Sequence, residues 1–358
     1  MRTAPPPSNP SQAPLPPVAV VIGRWQIFHN GHLALVRHAL AGSPTVLVVI
    51  GSAWRSRDAD NPFNVDERMA MVSAALTPEE RSRVQFAPLR DFHDDARWTT
   101  RLRAIVAERA PGREVVVVGY EKDASSYYLR NLAPWRLERV QEKFDNLDAT
   151  SLRAVYFGAT DLDSALAVIQ PSVPPGVLAY LQAWGQLPLR AAGIRARKAL
   201  AAYRDVWTAD FSVAADAVVR TELPTGPHVL LVRRKGPIGE GLWAVPGGFV
   251  DKAERTFDAA LRELREETGL DLWKPQAMEA LRGQAVLDDP ARSPRGRIIS
   301  HAYFFDLGRH KVPPEVRASD DAMQARWTPV EELPGMLPVL FEDHGLLLER
   351  FLGHFADD

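Results

Sequence analysis

Short apolar runs alternate with amphipathic stretches along most of the chain. Residues 18–22, 45–51, 84–88 and 114–119 are apolar and rich in valine, as strands covered on both faces should be. Between and after them, residues 33–40, 65–76 and 98–109 carry apolar side chains at helical spacing. Such alternation predicts a parallel sheet with helices on both faces. The stretch "LRAAGIRARKALAAYRDVW", residues 189–207, is rich in arginine and alanine and reads as the core of a connecting helix within 186–208. After it, residues 211–219 and 228–233 open a new set of strands, with no internal repeat linking the two halves. The pattern therefore predicts an α/β chain of two domains, residues 18–185 and 209–358. The opening "MRTAPPPSNPSQAPLPP" cannot bury enough surface to fold and reads as a disordered tail over residues 1–17.

Composition narrows the setting without changing this picture. At 358 residues the chain exceeds what one hydrophobic core usually organises, which agrees with two domains. A formal net charge of -2 gives no electrostatic reason to expect nucleic acid as a partner. The chain has no cysteine, which excludes disulfides and thiolate metal sites and fits a reducing cytoplasm. No apolar run reaches the length of a membrane span and no signal peptide is evident, so neither a membrane partner nor export is expected. A homo-oligomer is allowed, but nothing in the sequence requires one.

Two segments carry candidate chemistry. In "GRWQIFHNGHLALV", residues 23–36, His29 and His32 flank a glycine where a strand gives way to a helix. Unpaired N–H groups and the positive end of the helix dipole make that turn an anion site, and Gly31 allows close backbone approach. In "GFVDKAERTFDAALRELREETGL", residues 248–270, Glu263, Glu266 and Glu267 fall at i, i+3 and i+4, so one helix face carries three carboxylates. Their repulsion would be relieved by a divalent cation, and hard oxygen ligands select Mg2+ or Mn2+. Glu254 precedes the helix, where Arg262 can hold it.

The first segment resembles the G-R-F-Q-P-F-H-x-G-H signature of the nicotinamide-mononucleotide adenylyltransferases. Three further blocks follow in that family's order: "IGSAWRSRDADNPFNVDERMAMV", "VVGYEKDASSYYLRNLAPW" and "LDATSLR", the last similar to a motif that closes over ATP phosphates. The resemblance covers roughly residues 18–185 and implies a Rossmann-like nucleotidyltransferase domain that transfers adenylyl from ATP to nicotinamide mononucleotide, giving NAD and pyrophosphate. It implies that His29, His32 and Arg153 act on the triphosphate. Gly23, Arg24, Gly31, Thr150 and Lys122 are implied as further substrate contacts, although Lys122 reads equally well as an exposed lysine. Asn61 and Trp98 are implied for the nicotinamide nucleotide, where an aromatic face suits a cationic pyridinium ring; Trp98 reads equally well as core. Two positions depart from the family pattern: Ile27 replaces a proline, and Asp148 replaces a serine in the closing motif. Aspartate is a good helix N-cap, and we read Asp148 as one.

The second segment matches the Nudix box, G-x5-E-x7-R-E-U-x-E-E-x-G-U, at every fixed position from Gly248 to Gly269. This implies a Nudix α/β/α sandwich with a mixed sheet, in which Glu254, Glu263, Glu266 and Glu267 are catalytic and the last three bind metal. The flanks "LWAVPGGFVD", "RSPRGRIISHAYFF", "SDDAMQARW" and "FEDH" resemble Nudix domains associated with NAD synthesis, whose usual substrate is ADP-ribose. Arg295 and Arg297 are candidates for its diphosphate or ribose oxygens, or are ordinary exposed arginines. The whole chain resembles the bifunctional bacterial nicotinamide-mononucleotide adenylyltransferase/Nudix hydrolases. Two alternatives stay open at this point: adenylylation of another acceptor such as a flavin or pantetheine phosphate, and a Nudix half that senses ADP-ribose without cleaving it.

Overall fold

Valine-rich strands alternate their side chains between two helical layers in the first domain. The computed structural model describes residues 15–120, 132–140, 147–206 and 211–355. Within these, β1 (Val18–Gly23), β2 (Thr45–Ile50), β3 (Val84–Pro88), β4 (Val115–Gly119) and β5 (Arg136–Arg139) form a sheet in the order β3-β2-β1-β4-β5. Every neighbouring pair is parallel. The helices are α1 (Asn30–Gly42), α2 (Val65–Ala75), α3 (Pro78–Ser82), α4 (Asp95–Arg109), α5 (Ala149–Gly158), α6 (Leu162–Ile169), α7 (Pro175–Gly185) and α8 (Pro188–Val206). Ala19, Val21, Val46 and Val48 face α1, α2 and α5 to α7, while Val18, Val20, Leu47 and Val49 face α4. The period of two thus buries both faces, as a parallel sheet requires.

Local chemistry fixes where these elements begin. Helix α4 starts three residues before residue 98, because the Asp94 side chain accepts from Arg97 N at 2.8 Å and caps an earlier turn. Strand β5 reads "RLER" and lies at the sheet edge, half-exposed, so it carries none of the apolar signal of its neighbours. Helix α8 is more than a connector. Its Arg190 is buried and donates to the carbonyls of Tyr156 and Ala159 at 3.2 Å. A Cβ on its Gly193 would meet the Phe157 ring at 2.7 Å, so glycine lets the helix lie close against α5.

The second domain is a mixed sheet between helical layers. Strands β6 (Ser212–Leu223), β7 (Gly226–Arg234), β8 (Trp243–Ala244), β9 (Gly247–Phe249), β10 (Leu281–Leu287), β11 (Ile298–Arg309) and β12 (Ala322–Pro329) take the order β10-β11-β6-β7-β12, with β8 beside β7 and β9 beside β6. Only β11 and β6 pair in parallel; the other neighbours are antiparallel. Helices α9 (Thr256–Thr268) and α10 (Lys274–Ala280) cover one face, and α11 (Leu333–Met336) and α12 (His344–Leu352) the other. Gly269 ends α9 at φ 68°, a left-handed position that glycine adopts without a Cβ clash. No helix among the described residues is long and apolar enough to cross a membrane.

A buried carboxylate joins the domains. Glu349 of α12, 3% exposed, accepts from Arg90 at 3.0 Å and from Arg97 of α4 at 3.0 Å, and also from Phe355 N at 2.9 Å. Burial opposes its charge, but the hydrogen bonds from Arg97 and the charge of Arg90 hold the carboxyl below its ordinary range. A carboxyl lowered by folding contributes stability that is present above its unfolded pKa and lost as pH falls through the folded one. Glu349→Ala removes the buried carboxylate that Arg90 and Arg97 share, an expected loss of about 3–5 kcal/mol at neutral pH. Urea denaturation should show that difference shrinking as the pH drops below about 4; a pH-independent difference under about 1 kcal/mol would contradict the account.

Candidate functional sites

The first site lies at the carboxyl ends of β1, β2 and β3, where open α/β sheets place ligands. His29 is the N-cap of α1, and its Nδ1 accepts from His32 N at 3.3 Å. In return, His29 N donates to His32 Nδ1 at 3.4 Å, and the rings stack with centroids 3.5 Å apart. His32 therefore stands in the first helical turn and not in the loop before it. With both Nδ1 atoms accepting, a neutral ring at either position would carry its proton on Nε2. Gly31 is buried in the same turn, its carbonyl accepting from Tyr120 Oη at 3.3 Å. At Gly23 a Cβ would meet the Trp25 ring at 2.9 Å, so this glycine makes room for a side chain of the turn itself.

Arg153, only 3% exposed, lies beneath this turn. It donates through Nη1 to the Gln26 carbonyl and through Nη2 to Thr150 Oγ1 at 3.2 Å, and its buried Nε has no partner among the described residues. Burial lowers its pKa to about 10. Asp148 occupies the N-cap of α5: Oδ1 accepts from Thr150 N at 2.7 Å and Ser151 N at 3.0 Å, and Oδ2 from Ser151 Oγ at 2.6 Å. The Ser151 hydroxyl above all holds its carboxyl below the ordinary range. Lys122 and the "SSYYL" segment lie outside the described residues, as do residues 1–14 of the proline-rich tail.

Beside the histidine turn is a cavity of about 820 Å³ lined by Arg24, Ser52, Asn61, His93 and Trp98 among others. Ser52 and His93 hold φ of 48° and 49°, strained values for non-glycine residues that gather at this wall. Asn61 is 6% exposed; its Nδ2 donates to Asp58, while its buried Oδ1 has no partner among the described residues. Trp98 is half-buried, with part of its ring against the α4 core and part on the cavity. The floor is held by Arg68, whose guanidinium donates to the carbonyls of Gly51 at 2.6 Å, Arg24 at 2.9 Å and Ser52 at 3.1 Å. Its position in "NPFNVDER" marked the block, but only the structure shows that one buried fork ties the ends of β1 and β2 together.

The second site is built on β9 and α9. Arg262 grips Glu254 with two hydrogen bonds, from Nε and Nη2, each at 3.0 Å, and reaches Glu263 at 2.8 Å and Glu266 at 3.0 Å. The repulsion expected on a bare acidic face is therefore relieved by a guanidinium of the same helix. Among the described residues, no three His, Asp or Glu side chains converge as they would on a metal. Glu263 and Glu266 are turned onto Arg262, whereas Glu267 points inward and accepts from Gly247 N at 3.0 Å. Burial raises the pKa of Glu263, and pushes that of Glu267 up to about 8. Arg262 offsets only part of the cost of burying Glu263, and Glu267 is held by a backbone N–H, so this set of carboxylate oxygens fits a divalent metal.

A cavity of about 330 Å³ opens onto these carboxylates, with Arg234, Arg292, Arg295, Glu342 and His344 on its walls. Arg295 is held there by Glu342 at 2.9 Å. Arg297 does not line the cavity: its guanidinium donates instead to the Asp288 carbonyl at the start of the same loop. Gly248 is required by the site, since a Cβ there would come within 2.3 Å of Glu263 Oε1.

Comparison with known proteins finds relatives for each part of the chain. A model described as NUDIX domain matches residues 210–351, and one described as cytidylyltransferase-like matches residues 20–146. The nicotinamide/nicotinic acid mononucleotide adenylyltransferase of Acinetobacter baylyi is 31% identical over 164 residues, 46% of this chain and 84% of that protein. The ADP-ribose pyrophosphatase of Methanocaldococcus jannaschii is 34% identical over 141 residues, 39% of this chain and 73% of that protein. The crystal structure of a bifunctional NMN adenylyltransferase/ADP ribose pyrophosphatase from Francisella tularensis superimposes with a TM-score of 0.84 at 29% identity, covering 94% of this chain and 99% of that one. The chain belongs to the bifunctional nicotinamide-mononucleotide adenylyltransferase/Nudix hydrolase family. A second structure of the Francisella protein is described as complexed with AMP and a manganese ion.

Within that family frame, Asp148 is a local variation with a local purpose. Asp148→Ala removes the side-chain acceptor of two backbone N–H groups and should cost about 1 kcal/mol in urea denaturation, while Asp148→Ser should recover most of it. Equal stability of all three proteins would contradict the capping role.

Proposed function

We propose that the two sites run two reactions of NAD metabolism: adenylyl transfer from ATP to nicotinamide mononucleotide, giving NAD and pyrophosphate, and metal-dependent hydrolysis of ADP-ribose to AMP and ribose 5-phosphate. The observation that carries this reading is the whole-chain superposition on a bifunctional relative, at 94% of this chain and 99% of the other. Residues 18–185 would carry the first reaction and residues 209–358 the second, with 186–208 joining them.

In the first reaction a phosphate oxygen of the mononucleotide attacks the α-phosphorus of ATP, and pyrophosphate leaves. The protein has to align these groups and offset the charge that gathers on the phosphates. In our reading the Nε2–H groups of His29 and His32 donate to the triphosphate at the N-terminus of α1. Arg153 supplies a fixed positive charge from below, anchored to Gln26 and Thr150. The cavity bearing Trp98 and Asn61 takes the nicotinamide nucleotide: Trp98 offers an aromatic face, and Asn61 Oδ1, without a partner among the described residues, suits an N–H donor, which a carboxamide has.

In the second reaction Glu263, Glu266 and Glu267 would hold the divalent cation, which we take to be Mg2+, with Arg262 keeping Glu254 in place. When bound, that cation neutralises diphosphate charge and lowers the pKa of a bound water. Gly248 lets Glu263 lie against the backbone, and Arg295 offers a cation to the substrate from the cavity wall.

Two substitutions should separate the reactions. His32→Ala should lower kcat for NAD formation by about one to three orders of magnitude, the scale of a lost charge-stabilising donor, and leave ADP-ribose hydrolysis unchanged. An unaltered kcat would remove the histidine pair from the mechanism. Glu266→Gln should cut ADP-ribose cleavage by about tenfold to a hundredfold, and it should abolish most of the rise in Tm that millimolar Mg2+ gives the wild type. A full metal-induced shift in the variant would place the cation elsewhere.

A further inference from the structure

One loop of the second domain belongs to both cavities. Between β10 and β11 the chain turns tightly: Asp289 Oδ1 accepts from Ala291 N at 2.7 Å, and the Asp289 carbonyl accepts from Arg292 N at 3.2 Å. After the turn the side chains part. Asp289, Ala291, Ser293 and Pro294 line the large cavity of the first domain, together with Asn61 and Trp98. Arg292 and Arg295 line the cavity of the Nudix box. The loop is held firmly. Arg292 makes a buried double contact with Asp343, both arms at 2.9 Å, Ser293 Oγ donates to Glu342 at 2.7 Å, and Arg204 of α8 donates to the Pro294 carbonyl.

We propose that this loop is a wall of the nicotinamide-nucleotide pocket, so that Asp289 and Ala291 of the Nudix domain position the acceptor and set its specificity for adenylyl transfer. The inference rests on the reading that the large cavity takes that nucleotide. Its volume of about 820 Å³ lies within the range of ligand pockets, and the buried Asn61 Oδ1 on its lining has no hydrogen-bond partner among the described residues. The lining also carries a charge preference: Asp60, Asp91, Asp94, Asp95 and Asp289 stand against Arg24 and Arg55. Such a surface favours a ring bearing a positive charge and disfavours one that also bears a carboxylate. Asp289 is the part of that preference that comes from the other domain. The amide and acid forms of the acceptor therefore differ in the term that Asp289 supplies.

The test uses the full chain. In wild type, Ala291→Trp and Asp289→Asn, NAD formation is followed as a function of each substrate, with ADP-ribose hydrolysis and Tm measured on the same preparations. Ala291→Trp should raise KM for nicotinamide mononucleotide at least tenfold while KM for ATP, ADP-ribose hydrolysis and Tm stay within about twofold or a few degrees. Asp289→Asn keeps the turn and should raise the kcat/KM ratio of nicotinic acid mononucleotide to nicotinamide mononucleotide at least threefold. If Ala291→Trp fails to fold, shown by loss of hydrolysis and Tm together, the Asp289→Asn ratio decides alone. An unchanged KM in a folded Ala291→Trp, or an unchanged ratio in Asp289→Asn, overturns the wall. A wild type that makes no NAD overturns the functional reading itself, and the wall falls with it.

Discussion

The carboxylate of Glu349 is the point on which the arrangement of the two domains turns. It lies buried on α12 of one domain and is gripped by Arg90 and Arg97 of the other. Removing three charges from water is expensive, and the pairing is favourable only while all the partners keep their geometry. The contact therefore specifies position more than it adds stability. Around it, Leu346 packs against the α4 core, and His93 of the first domain approaches Asp343 of the second at 4.0 Å. Asp343 in turn fixes Arg292, so the geometry passes from the interface into the loop that borders both cavities.

Guanidinium groups, two of them buried and one half-buried, recur as the organising device. Arg68 gathers carbonyls at the ends of β1 and β2, Arg153 supports the histidine turn, and Arg262 collects the box carboxylates. In each case a planar fork replaces water at several acceptors at once, which a lysine could not do. The two sites then differ in what is left exposed. The first presents N–H donors and a helix N-terminus, suited to phosphates. The second presents carboxylates, suited to a cation that brings the diphosphate with it.

Much of this was legible in the sequence. The valine runs of the first sheet and the i, i+3, i+4 carboxylates announced themselves because periodicity and spacing are local properties. Residue Asp148 could be read as a cap for the same reason. Strand β5 was not legible, since an edge strand of four residues with two arginines has no apolar pattern. The roles of Arg90, Arg97 and Glu349 depend on partners about 250 residues apart, and no local signal encodes them. The sequence places Arg262 where it can hold Glu254, but its reach to Glu263 and Glu266 follows from side-chain geometry on α9. "FEDH" was noticed as a flank, and each of its residues proves to border a cavity, though only packing shows that Glu342 holds Arg295.

The central claim is that one chain makes a dinucleotide at one site and breaks an ADP-linked diphosphate at the other. The most direct measurement is mass spectrometry of the products that the purified full-length protein forms in 18O-water with Mg2+, in two parallel reactions. With nicotinamide mononucleotide and ATP, the account expects NAD and pyrophosphate without solvent oxygen. With ADP-ribose, it expects AMP and ribose 5-phosphate, with one 18O per cleavage in the phosphate of one product or the other. ADP-ribose that is bound but returned intact, or a first reaction that yields no NAD, would contradict it.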